Sequence, residues 1–152
     1  MVIITRIPAV GRPLGLALRE LVYCLAQTFA AYMKSGVCPS LPPLYKSGVV
    51  YRPEPNRGTG VEDFADPWTC LSRGWGDCDD LTIWRIAELI AAGEKMPPPQ
   101  VRRAGIRMHV LVRRASGALE DPSKILYPDK GRFNASQAMV VAPSKIEMKV
   151  IC

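Results

Sequence analysis

Cys78 lies within Gly76-Asp77-Cys78-Asp79-Asp80-Leu81, directly ahead of a run with helical periodicity. The chain holds one histidine, His109, in a run that alternates like a strand, and Asp121-Pro122-Ser123 follows twelve positions on. A thiol is a weak nucleophile until a base takes its proton, and an imidazole base works best when a third group orients it. Cysteine, histidine and aspartate in this order point to acyl transfer through a thioester. Cys78, His109 and Asp121 are therefore the candidate catalytic residues. A lone histidine leaves no second base of that type to choose.

Asp77 is suited to cap a helix, with Asp80 three residues on as its reciprocal partner. That places Cys78 in the first helical turn, beside free backbone N–H groups and the positive end of the helix dipole. Both favour the thiolate, and the same N–H groups could receive a developing oxyanion. The plainer alternative is a small apolar residue wedged at a helix start, since free cysteine is commonly just buried. Asp79 and Asp80 have a rival reading as metal ligands. Two adjacent carboxylates without a third nearby argue more for complementing the helix dipole, and no metal or cofactor is expected. Their charge opposes a thiolate, a tension that a protonated His109 would offset.

The elements that must position these groups can be read in outline. Leu14, Leu18, Leu21, Val22, Leu25, Phe29 and Met33 recur at three- and four-residue steps. They predict an N-terminal helix over about 13–35, with Pro13 at its start and Gly36 at its end. Residues 37–67 are rich in proline and read as an extended segment, with a short strand near Val49-Val50-Tyr51. Asp66-Pro67 predicts a capped short helix, and Gly74-Trp75-Gly76 a flexible approach to the cysteine. A second long helix runs through Leu81 to Ala92 and is closed by Gly93. Ile106, Met108, Val110 and Val112 alternate with Arg107, His109, Leu111 and Arg113, which is strand patterning. Ala115-Ser116-Gly117 reads as a turn, and Leu119-Glu120-Asp121 as the start of the return strand. That hairpin brings residues 121–123 opposite position 109. Asp121 orients the imidazole if both share a face; a slip of one residue would part them, and a bulge at Gly117 could restore the match. Residues 2–7, 139–141 and 149–151 are further β-prone stretches.

A chain of 152 residues suits one domain, and its apolar share of 48% and charged share of 22% are those of a globular protein. The net charge of +6 reads mainly as solubility. Arg102, Arg103, Arg107, Arg113 and Arg114 cluster about the predicted strand without interleaved aromatics, so nucleic-acid binding is not expected. Five cysteines with no Cys-x-x-Cys spacing argue against structural zinc and for mostly reduced thiols of cytoplasmic synthesis. Cys24 is expected to pack inside the first helix. Arg19 and Glu20 interrupt the apolar stretch from Leu14 to Met33, so neither a signal peptide nor a membrane span is expected there.

Taken together, Gly76-Asp77-Cys78-Asp79-Asp80-Leu81, Met108-His109-Val110 and Glu120-Asp121-Pro122-Ser123 resemble the core of transglutaminase-like cysteine peptidases. The resemblance covers about residues 66–126. It implies an α+β fold with a transglutaminase-like or papain-like core, in which a central helix carrying the cysteine packs on a small antiparallel sheet. It implies nucleophile, base and orienting carboxylate for Cys78, His109 and Asp121, and a peptide or protein as substrate. The 31 residues between Cys78 and His109 would make this a minimal version. The family's upstream oxyanion donor has no clear counterpart, with Tyr51, Trp68 and Trp75 as chemical candidates. The single domain would comprise the helix at 13–35, the Pro-rich segment 37–67, the core, and a C-terminal extension over 127–152. Small chains of this pattern also look like products of bacteriophage structural genes. That likeness implies a second reading: a virion component, with other virion proteins or further copies of the chain as partners.

Overall fold

The computed structural model describes residues 12–54, 63–104 and 107–128. The β-prone stretches at 2–7, 139–141 and 149–151, and all but the first two residues of the 127–152 extension, lie outside these. Within them the chain is of mixed helix and strand, as an α+β reading requires.

Helix α1 (Arg12–Ser35) turns Leu18, Val22, Ala26, Phe29 and Ala30 inward, a stripe at three- and four-residue spacing. Gly36, at φ 68°, supplies the left-handed residue that ends it. Cys24 departs from the expectation that it packs: it is exposed, because it lies between Val22 and Ala26 on the far side of the helix. By length and composition alone α1 could cross a membrane, with a mean hydropathy of 1.2 over Leu14–Ser35. Its buried stripe packs against the central helix α3.

Pro39, Pro42 and Pro43 keep the next segment extended up to a 3-10 turn at Leu44–Lys46. Strand β1 (Val50–Tyr51) then pairs in parallel with β2 (Trp75–Gly76). The β2 strand has no sequence signature, since two residues, one of them a glycine, show no periodicity. Between them, α2 (Pro67–Arg73) begins as expected. Asp66 caps it, accepting from Thr69 N at 2.8 Å, Pro67 takes the first position, and Gly74 closes it at φ 77°. Such a cap stabilises a helix by ~1 kcal/mol.

Helix α3 (Cys78–Ala91) is the centre of the fold and is buried on nearly every side. Ile83, Ile86, Ala87 and Leu89 join the stripe of α1 together with Val110 and Val112. Leu81 and Trp84 face the other way, into Leu44, Val49, Ala65 and Cys70. Each such large side chain contributes roughly 1.5–3 kcal/mol on burial, so α3 is held by two half-cores.

Three antiparallel strands follow in the order β3 (Gln100–Ala104), β4 (Arg107–Arg113), β5 (Leu119–Glu120). Val101, Met108, Val110 and Val112 pack towards α1 and α3. Thr82 of α3 donates to the carbonyl of Val110 at 3.2 Å and so pins the helix to β4. The β3 strand has no counterpart among the elements expected from sequence; after three prolines, a run with two adjacent arginines shows little alternation. The return strand is also shorter than expected. It ends at Glu120, and Asp121 caps a further helix, α4 (Pro122–Ile125), that the sequence reading missed. Asp121-Pro122 repeats the cap-and-proline pair of Asp66-Pro67, the signal that would have revealed it.

Candidate active site

The first turn of α3 is built by its own sequence. Asp77 accepts from Asp80 N at 3.4 Å, and Asp80 Oδ2 accepts from Asp77 N at 3.2 Å, the capping box expected from the spacing. Cys78 follows at the first helical position and is half-buried. Gly76 is demanded by packing: a Cβ there would stand 3.0 Å from Leu81 Cδ2 and 3.2 Å from Asp80 Cβ. β2 therefore crosses the start of α3 as closely as backbone allows.

Asp80 is wholly buried and does more than cap. Its Oδ1 accepts from Ala65 N at 2.7 Å, and its Oδ2 is ion-paired with Arg73. Arg73 also donates from Nε to the carbonyl of Trp75 at 2.8 Å and lies 3.8 Å over the Trp75 ring. One guanidinium thus joins the end of α2, strand β2 and the start of α3. The sequence reading did not single out Arg73, because nothing along the chain marks it as Asp80's partner.

The carboxylates crowd the thiol. The Cys78 sulfur and one oxygen each of Asp77 and Asp79 lie within 4.8 Å of one another. Burial, then a hydrogen bond to the Asp77 carboxylate, pushes Asp79 well above the ordinary carboxylate range. Its Oδ2 is buried with no hydrogen-bond partner among the described residues. Burial, then the charge of Asp77, pushes Asp80 up to about 7 against the pull of Arg73. Held up in this way, Asp79 opposes a thiolate less than an ordinary carboxylate would, while Asp77 remains beside the sulfur. The same trio has a donor set that could hold a metal ion; a carboxyl that keeps its proton is a poor ligand.

His109 Nε2 lies 2.9 Å from Asp121 Oδ2. Pairing of Val112 with Glu120 and Arg113 with Leu119 sets the register. Extended one step, it puts Asp121 across from Leu111, on the face that also carries His109. The contact is a diagonal one across the ladder, and no bulge is needed to make it. Asp121 Oδ1 is engaged as well, accepting from Lys124 N at 3.1 Å as the cap of α4. Both oxygens being held, the carboxylate is fixed relative to the ring. A carboxylate accepts, so Nε2 carries the proton and Nδ1 is left as the basic nitrogen.

The pair opens on a cleft of about 710 Å³, walled by Tyr51, Ser123, Lys124 and Tyr127. Tyr51 N donates to the carbonyl of Leu126 at 2.9 Å, and the Tyr51 and Tyr127 rings stack with centroids 5.7 Å apart. The Pro-rich segment thereby contributes a wall to the site. Of the aromatics considered as oxyanion donors, Trp68 is engaged elsewhere, giving its Nε1–H to the carbonyl of Pro39 at 2.7 Å. Trp75 lies beneath Arg73 and Arg52. Tyr51 stands in the cleft.

Of the three residues singled out by sequence, His109 and Asp121 meet directly, and Cys78 heads the helix that packs on the strand of His109. No family model matches the chain, and no curated protein or solved structure matches it significantly.

Proposed function

We propose that the chain is a thiol-dependent amide hydrolase with a transglutaminase-like core, using Cys78 as nucleophile, His109 as base and then acid, and Asp121 as the orienting carboxylate. The observation that carries this reading is the 2.9 Å contact between the chain's only imidazole and Asp121 at an open cleft. A histidine held by a carboxylate at one nitrogen is prepared to act at the other.

In the proposed reaction Nδ1 of His109 takes the Cys78 proton as the sulfur attacks the amide carbon. The carbonyl π pair moves to oxygen, and the N–H groups of the first turn of α3 face that oxyanion. Collapse re-forms the carbonyl and breaks the C–N bond, and the imidazolium gives its proton to the departing amine. Water, deprotonated by His109, then attacks the thioester; the C–S bond breaks, the acid product leaves and the thiol regains its proton.

The test is alkylation and turnover in parallel. Iodoacetamide should label Cys78 faster than exposed Cys24 near neutral pH, and Cys78→Ala should abolish hydrolysis of a peptide substrate with its circular dichroism unchanged. Turnover that survives Cys78→Ala overturns the assignment. The crowding of the sulfur by Asp77 and Asp79 favours a second reading, a chain that retains the core without the chemistry, which is one form of the alternative that it is a bacteriophage virion protein with or without activity. Equal labelling of Cys24 and Cys78 would support it.

A further inference from the structure

Resting on that reading of the site, we infer that the substrate is an amide bearing a carboxylate close to the scissile bond. Two cations flank the His109–Asp121 pair. Arg102 of β3 stands directly across the ladder from His109, so both side chains leave the same face of the sheet. Lys124 lines the cleft on the other side, one turn beyond Asp121. Both are exposed. Neither side chain has a hydrogen bond or ion pair among the described residues. Arg19, Arg73, Arg85 and Arg114, in contrast, are each paired with carboxylates. Among the described residues Asp121 is the one carboxylate lining the cleft, and both its oxygens are engaged. Lys124 in the cleft and Arg102 beside it thus outnumber the single negative charge of Asp121, and a carboxylate on a ligand supplies a further partner for them. The stacked rings of Tyr51 and Tyr127 give its carbon chain an apolar wall.

The lone histidine makes the test direct, because the imidazole Cε1–H gives one NMR signal. Full-length Cys78→Ala protein is titrated at fixed pH with N-acetylglutamate, N-acetylglutamine or inorganic phosphate. N-acetylglutamate should shift the His109 signal saturably and the neutral isostere should not. Lys124→Gln and Arg102→Gln should each weaken that binding by about fivefold, and the double variant should abolish it. Lys34→Gln, on the last turn of α1, should leave it unchanged. An equal response to the glutamine and glutamate compounds, or none to either, overturns the inference. So does an equal response to phosphate, which would mark a site for any small anion. Because this readout needs no turnover, it fails or holds separately from the thiol chemistry.

Discussion

At the scale of single residues, Asp121 holds two jobs that can be separated by substitution. One oxygen caps α4 and the other meets the imidazole. Asparagine still caps a helix but carries no charge. Asp121→Asn should therefore leave the melting temperature nearly unchanged while lowering kcat by about 100-fold or more, as expected when a base loses its orienting group. Asp121→Ala should lose the cap as well and cost a further ~1 kcal/mol in chemical denaturation. Wild-type kinetics in the asparagine variant would remove Asp121 from the mechanism. The cap was legible in Asp121-Pro122, and the pairing with His109 was legible up to a choice of register. The crowding of Cys78 was legible in part, as three acidic neighbours in sequence; that Asp79 is held above the ordinary carboxylate range was not, because burial is a property of the packed chain.

At the scale of elements, the first turn of α3 depends on α2 through Arg73. Asp80 is fully buried, and the Arg73 side chain is only 20% exposed, so solvent screens the pair little. Arg73→Ala leaves a buried carboxylate unpaired, and urea denaturation near pH 8 should show a loss of ~3 kcal/mol. That loss should shrink as the pH falls below about 7, where Asp80 takes up a proton. A pH-independent loss would mean that packing on Trp75, rather than the charge, is what Arg73 provides. Both long helices were readable because their apolar spacing, capping residues and closing glycines agree with one another. β2 and β3 were not, since a two-residue strand and an arginine-bearing edge strand owe their existence to the partner they bond. β3 matters functionally, because it is what brings Arg102 opposite His109.

At the scale of the whole molecule, buried carboxyl groups set opposite limits on stability. Asp79 and Asp80 bind protons more tightly when folded than unfolded. Their contribution is complete below the ordinary carboxylate range and is lost as the pH rises towards and through about 7. Glu120 runs the other way. Burial alone would raise it, but hydrogen bonds from Tyr45, Arg85 and Arg114 outweigh burial and hold it below its usual value. Its contribution is present above that range and lost as the pH falls through the lowered folded value. The melting temperature should thus decline from about pH 5 to about pH 8. Asp79→Asn, which mimics the protonated side chain, should flatten that decline; an unaltered slope would mean that Asp79 is ionised in the folded protein.

What the sequence determined alone is local: where helices start and stop, that Cys78 heads one of them, and that His109 alternates in a strand. These follow from backbone hydrogen bonding and apolar spacing within a few residues, which neighbours along the chain decide. Only the tertiary structure decided which charges are neutralised and which are left over. That depends on groups from separate elements of the chain, such as Arg73 and Asp80, whose meeting no spacing encodes.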